Sequence, residues 1–394
     1  MNLESADDAL LATAERVASL LSVMVEVRMM PHSRVTQAAA WMTDARGQRV
    51  TGFGAAIDSD RARALAIIEC AERWALAFPD GEIVTGSWRD LSDVAVDPRA
   101  LGLYAEHQYP LPGVSRFDES APLEWVHVQD IAGRAALLPQ EVVYPREPLC
   151  RDPLVVETSS GSAGGLTLAS ALERGMREVI ERDAFMLAWH RHGRTHVAGE
   201  LPDDIAAEIG RLGEAGWITA VLRIEQDIAL PCVLMVAVQG SRYSHGLGCS
   251  PNPDDAARRA LGELVCGLRA DGEQRALLCV ALSDIQTPDD HRALYDGGFL
   301  HSELRAFLGR AVASDPSTFG AAADSATAAL SKAGYRVLYR EVGGPAVREA
   351  GLRLVRVVVP GLVPLSFGWG RLRLGLDRLR GNAGVLVTLP HFLD

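Results

Sequence analysis

Ser159-Ser160-Gly161-Ser162-Ala163-Gly164-Gly165, followed within one helical pattern by Glu178-Val179-Ile180-Glu181-Arg182-Asp183-Ala184, is the stretch whose reading decides the fold. The glycine run signals a turn after a short extended segment, and residues 172–182 carry the period of a helix, so the unit reads strand, turn, helix. It recurs on both sides. Upstream, Gly52-Phe53-Gly54 leads into a helical pattern over 62–73 with Glu69, Glu72 and Arg73; downstream, Gly246-Leu247-Gly248 leads into 256–269 with Arg259 and Glu263. Residues at i and i+3 share a helix face, so Glu69 with Glu72, and Glu178 with Glu181, each send two carboxylates to one side.

Charged pairs at this spacing usually decorate a solvated helix face, and any one copy read alone is such a face. Three copies in register read differently. Around Glu69 and Glu178 the neighbours are apolar or small (Ala66, Ile67, Ile68, Ala71; Met176, Val179, Ile180), which leaves little room for a wet face. Carboxylates crowded in a poorly solvated place repel and take up protons unless a cation joins them. Magnesium, with its preference for carboxylate oxygens and substrate phosphates, is the simplest candidate, and arginine then holds phosphate oxygens. A nucleotide site here must do without lysine. Of 39 basic residues only Lys332 is a lysine, and it reads as the end of an amphipathic helix, so neither a Gly-Lys-Ser/Thr phosphate loop nor a kinase strand lysine can be built.

With these residues in view, the pattern from Ser159 through Ala184 resembles the YcaO domain, in its cyclodehydratase branch. The family's early Ser-x-x-Glu-x-x-Glu-Arg motif corresponds to Ala66 through Arg73, and its Arg-x-x-x-Glu motif to Arg259 through Glu263. The resemblance runs from about Gly52 to the last residue. It implies ATP-dependent activation of a peptide backbone amide: a Cys, Ser or Thr of a ribosomally made precursor attacks the preceding carbonyl, ATP phosphorylates the oxygen, and loss of phosphate leaves an azoline. Carried over residue by residue, it implies that Glu69, Glu72, Glu178, Glu181 and Glu263 bind magnesium and nucleotide, with Ser160 beside them, Arg182 and Arg259 on the phosphates, and Arg73 structural. Thioamide or amidine formation through the same intermediate, and a noncatalytic scaffold subunit, are the alternatives.

The chain departs from the family pattern at Ala66, where serine is usual, and at Cys266, where glutamine is usual. The family's proline-rich tail is echoed by Leu389-Pro390-His391-Phe392-Leu393-Asp394, with two prolines missing; this makes His391 a candidate catalytic base, against the plain reading of a loosely ordered surface residue.

The expected fold is α/β (α+β), a YcaO-like fold with three strand, Gly-turn, helix units around an ATP and Mg2+ site and helices packed on mixed or antiparallel sheets. Runs 220–224, 232–238 and 355–360 are fit for buried strands, and 336–339 for another. One interlocked domain is expected over 1–394, comprising an N-terminal segment (1–50), the repeated units (52–269), a helical excursion (285–335) and C-terminal strands and tail (336–394), with loops at 109–113 and 145–153. Residues 1–50 offer one helix (6–21) and strands at 23–30 and 38–43, too little for a winged-helix module that holds a substrate leader. The expectation is therefore a standalone subunit working with an E1-like, winged-helix leader-recognition partner and with a flavin-dependent azoline dehydrogenase, with a homodimer as an open possibility.

A formal charge of -12 and the lack of a basic stripe argue against nucleic acid, and no long uncharged apolar run or signal peptide stands out, so a cytoplasmic location is expected. Six cysteines (Cys70, Cys150, Cys232, Cys249, Cys266, Cys279) form no Cys-x-x-Cys pair, and several read as small core residues. His190, His192 and His196 read as a surface loop, with a helical His-x-x-x-His metal face as the alternative.

Overall fold

The computed structural model describes residues 3–29, 33–109, 113–145, 147, 149, 151–268, 281–296, 299–313, 321–380 and 386–394. In chain order its elements are α1 (Leu3–Leu21), β1 (Met24–Met29), β2 (Thr36–Thr43), β3 (Arg49–Ala56), α2 (Ser59–Ala75), β4 (Ile83–Ser87), α3 (Trp88–Leu91), β5 (Pro122–Asp130), β6 (Ala135–Pro139), α4 (Gln140–Val143), β7 (Ser162–Gly165) and α5 (Leu168–His190). There follow β8 (Thr195–Val197), α6 (Asp203–Glu214), β9 (Ile218–Ile224), β10 (Cys232–Gln239), β11 (Arg242–Cys249), α7 (Pro253–Gly267), α8 (Pro288–Asp296), α9 (His301–Gly309), α10 (Ala326–Lys332), β12 (Leu338–Val342), α11 (Gly344–Glu349), β13 (Arg353–Val358) and α12 (Asp377–Arg380).

These group into two compact units. The first comprises Met1–Met29, Val35–Val179 and Gly334–Leu362, and the second Met30–Arg34, Ile180–Ala333 and Val363–Asp394. The first unit holds a three-stranded sheet in the order β1-β2-β3 and a larger one in the order β4-β5-β12-β13-β7, with β6 added to β5. The second holds the four-stranded sheet β11-β10-β9-β8. Every strand pairing within these sheets is antiparallel. The mixed α/β class with antiparallel sheets is as expected, and the described part of 285–335 carries α8, α9 and α10.

The helices start where local chemistry stops the strand. Asp58 caps α2 by accepting the Arg61 N–H, and Asn252 caps α7 with Pro253 at the first helical position, where a missing N–H costs nothing. The glycines that lead into α2 and α7 sit in β3 and β11, and Gly164-Gly165 in β7, which corrects the expected turns there to strands, while Gly161 keeps the expected turn at φ 84°. The reason is packing. A Cβ on Gly52 or Gly54 would come within 3.0 Å of the α2 backbone at Ala66, Cys70 and Ala62, and one on Gly246 or Gly248 within 3.0 Å of the α7 backbone at Ala260, Leu264 and Ala256. Glycine is needed so that helix and strand backbones can touch.

Lys332 ends α10 and is exposed, as read from the sequence. Cys70, Cys232 and Cys249 are buried free thiols and Cys266 is half-buried. Cys150, Cys279, Arg269 and residues 110–112 lie outside the described residues.

Candidate functional site

In the first unit, the close approach of α2 to β3 turns the Phe53 N–H toward the Glu69 carboxylate, sixteen residues on, which accepts it. Glu69 also pairs with Arg73 at 2.8 Å, and Arg73 donates to the Thr51 carbonyl at 2.7 Å, so Arg73 ties helix to strand. Glu72, three residues along α2, accepts the Gly164 N–H from β7 at 2.5 Å. Burial pushes the Glu72 carboxyl up to about 8; the carboxylates of Glu69 and Glu178 add to the rise, while the Arg174 guanidinium and the Gly164 N–H oppose it. Two sequence-predicted acids from α2 and one from α5 therefore feel one another's charge. Ala66 is fully buried beneath Gly52 and Gly54. Ser160 lies just before β7: its hydroxyl accepts from Thr158 at 2.8 Å and its carbonyl from the Arg356 guanidinium.

The second unit repeats the device. The Leu247 N–H donates to Glu263, sixteen residues on, at 3.0 Å. Glu181 is buried with Arg182 at 3.3 Å, and Arg259 and Glu263 are exposed on α7. Three residues after Glu263 stands Cys266, where the first unit has Glu72.

Two features were not read from the sequence. Arg174 is the cation nearest in effect to Glu72, and only its position one turn before Glu178 could have signalled it. Asp183, fully buried, accepts from Arg378 at 2.9 and 2.7 Å and from the Val363 N–H at 2.8 Å; its motif neighbour Arg182 was singled out while it was not.

His391 is not a loosely ordered surface residue: it is 1% exposed. The tail is held by side-chain donors to consecutive carbonyls: Trp189 to Leu389 (3.2 Å), Tyr295 to Pro390 (2.6 Å), His291 to His391 (2.9 Å) and Tyr243 to Phe392 (2.7 Å). Phe392 packs among the rings of Phe185, Trp189, Tyr295 and Phe307. The His391 ring binds the Ser366 carbonyl through Nε2 at 2.8 Å and leaves Nδ1 buried without a hydrogen-bond partner; burial and the neighbouring His291 and His190 hold the ring far below the usual histidine range, so it is neutral.

The helical-face reading of the other histidines is corrected, and the surface-loop reading holds for the exposed His192 alone. His190 ends α5, buried, with Nδ1 on the Val387 carbonyl; His192 follows at φ 51°; His196 lies buried in β8 against Glu225. Among the described residues no group of three or more His, Cys, Asp and Glu side chains is disposed around one point as a metal site, and no helix is long and apolar enough to cross a membrane. What Glu69, Glu72 and Glu178 supply is a set of hard oxygen donors that act on one another where burial already raises the Glu72 carboxyl, which suits Mg2+ in kind.

A family profile described as YcaO cyclodehydratase, ATP- and Mg2+-binding, matches residues 53–363. The chain belongs to the YcaO family. YcaO proteins of this description depend on ATP and bind Mg2+. An uncharacterized protein in the tfuA 3′ region of Rhizobium leguminosarum bv. trifolii is 31% identical over 163 residues, a match spanning 36% of this chain and 38% of that protein. The fold is shared with a heterocyclase solved in complex with substrate and cofactor (TM-score 0.75, 20% identity, 97% of this chain and 57% of that one). It is also shared with YcaO from Methanopyrus kandleri bound with AMPPCP and Mg2+ (TM-score 0.68, 16% identity, 98% and 95%).

Proposed function

We propose that this YcaO protein is an ATP-dependent cyclodehydratase that converts Cys, Ser or Thr of a ribosomally made precursor peptide to azolines, as one subunit of a modification complex. The observation that carries the reading is the crowding of Glu72 by Glu69 and Glu178 in a family that binds ATP and Mg2+. When bound, Mg2+-ATP supplies the phosphoryl group that makes an amide oxygen a good leaving group. In the first unit Glu69, Glu72 and Glu178 would provide carboxylate oxygens for the metal and Ser160 a hydroxyl; in the second, Glu181 and Glu263 would offer carboxylate oxygens and Arg182 and Arg259 would donate to phosphate oxygens. The backbone N–H groups of Phe53, Gly164 and Leu247 hold Glu69, Glu72 and Glu263 in place. His391, with a neutral unpartnered Nδ1, has the chemistry of a base and serves as one if the tail leaves its seat.

A leader-recognition partner and a flavin-dependent dehydrogenase belong to the same proposal. The test is calorimetric titration of Mg2+-ATP into the protein and into Glu178→Gln/Glu181→Gln. Metal-dependent binding lost in the double variant supports the reading; no binding by the wild type, with or without partners, replaces it with the scaffold reading motivated by Ala66 and Cys266.

A further inference from the structure

We propose that Cys232 and Cys249 form an oxidisable cross-strand dithiol, which closes to a disulfide under hydrogen peroxide and clamps the β10-β11 hairpin of the second unit. Both are buried free thiols, each 1% exposed. They are direct partners in the antiparallel register, Cys232 as the first residue of β10 and Cys249 as the last of β11. The hydrogen bonding fixes the kind of pair. The Ser250 N–H donates to the Pro231 carbonyl at 3.2 Å, so residues 231 and 250 are a hydrogen-bonded pair and the next pair inward, Cys232 with Cys249, is not. Side chains come closest at a pair of this second kind, whose Cα atoms stand about 4.5 Å apart. A disulfide spans Cα separations of about 4.4 to 6.8 Å, so closure asks for side-chain rotation and little movement of the backbone.

The surroundings favour a reactive sulfur over a pair of inert core residues. Gln226 donates through Nε2 to Cys232 Sγ at 3.1 Å and to the Leu230 carbonyl at 2.6 Å. A packed thiol needs no such donor, whereas an N–H on the sulfur favours the thiolate, which is the form that attacks. The Cys232 thiolate attacks one peroxide oxygen, the O–O bond breaks, and the second oxygen leaves as water with the thiol proton, giving a sulfenic acid. The Cys249 sulfur then attacks the Cys232 sulfur, the S–O bond breaks, and a second water leaves as the S–S bond forms. Hydrogen peroxide gains two electrons and each sulfur gives up one. Burial shuts out bulky oxidants, and the open end of the hairpin admits a small neutral one as the strand ends fray. The pair lies on the face away from α7, because Gly246 and Gly248 turn toward that helix, so the link leaves their packing untouched. It closes the hairpin at the end opposite its turn, two residues from Leu247, and holds the Leu247 N–H on Glu263.

The experiment treats the full chain with hydrogen peroxide under native conditions, blocks the remaining thiols, digests with trypsin in the absence of reductant and reads the peptides by mass spectrometry. Cleavage after Arg223, Arg242 and Arg258 puts the two cysteines in separate peptides, so the disulfide is expected as one linked species, lighter than the two peptides together by two hydrogens, which dithiothreitol separates. The oxidised protein is expected to melt several degrees above the reduced one and to lose that gain when reductant is added. Cys249→Ser is expected to abolish the linked species and the gain together. A native chain that yields no link between Cys232 and Cys249, a link that forms only after unfolding in urea, oxidised and reduced forms that melt alike, or a gain that survives in Cys249→Ser would each overturn the proposal. None of these outcomes depends on nucleotide binding.

Discussion

The hairpin and helix β2-β3-α2 of the first unit and β10-β11-α7 of the second are one device used twice. Both place Gly-x-Gly on the outer strand, alanines on the facing helix (Ala62 and Ala66; Ala256 and Ala260), and a glutamate sixteen residues after the central residue of the triplet that accepts its N–H. They diverge a helical turn later. Glu69 is followed at i+3 by Glu72 and at i+4 by Arg73, which pairs with it, whereas Glu263 is followed by Cys266 and Gly267, where a Cβ would crowd Ser244 Oγ. What the copies share is what close packing demands; what differs is where charge is concentrated. The first unit buries Glu72, with the Glu69 and Glu178 carboxylates adding to the effect, until it holds a proton to about 8, and the second answers its buried Asp183 with Arg378. Crowding marks a place for a cation, and pairing marks a structural joint.

The shared device breaks most severely. Gly54→Val and Gly248→Val each drive a side chain into helix backbone that cannot yield, and each is expected to cost more than about 5 kcal/mol, read as loss of soluble folded protein. Equal loss in both would confirm the equivalence; tolerance of one would end it. Next in size, Arg378→Ala leaves the fully buried Asp183 carboxylate without its guanidinium and is expected to destabilise by about 3 kcal/mol in urea unfolding.

Acid should find the second unit through its histidines. Burial holds His190 and His291 down to about 4 against an ordinary 6.5, so between those values the unfolded chain binds protons that the folded one does not. Stability is therefore full above pH 6.5 and falls as pH drops toward 4, by about 2 kcal/mol per histidine at pH 5, and melting temperature across that range measures it. A flat profile would show that the rings protonate in place.

The smallest effect is the most pointed. Glu72→Gln keeps an acceptor for the Gly164 N–H and puts a neutral amide where the carboxyl is already protonated below about pH 8, so it is expected to leave stability unchanged near pH 7 while abolishing Mg2+-ATP binding. A loss of stability instead would make Glu72 a structural residue like Asp183.

The N–H-to-glutamate device at Glu69 and Glu263 was legible because the spacing of glycine and glutamate recurs, and the helix period put Glu69, Glu72 and Glu178 where they act on one another. Arg174 and the Asp183–Arg378 joint were not legible, since each acts on a partner from another element and leaves no period behind. Of the two readings of His391, the surface one failed because a terminal position says nothing of the aromatic cage of Phe185, Trp189, Tyr295 and Phe307 that seats its neighbour Phe392.

By itself the sequence determined the class of fold, the helices that carry the acids and the family, because helix period, capping residues and motif spacing are properties of neighbours along the chain. It could not place the glycines, which look like turn residues wherever they stand. Only the tertiary structure decided that all but Gly161 lie in strands, that Glu72 is buried beside other acids while Asp183 is paired, and that the tail is buried. Each of those depends on which backbone comes to lie against which, and burial and pairing are set by that contact and not by position in the chain.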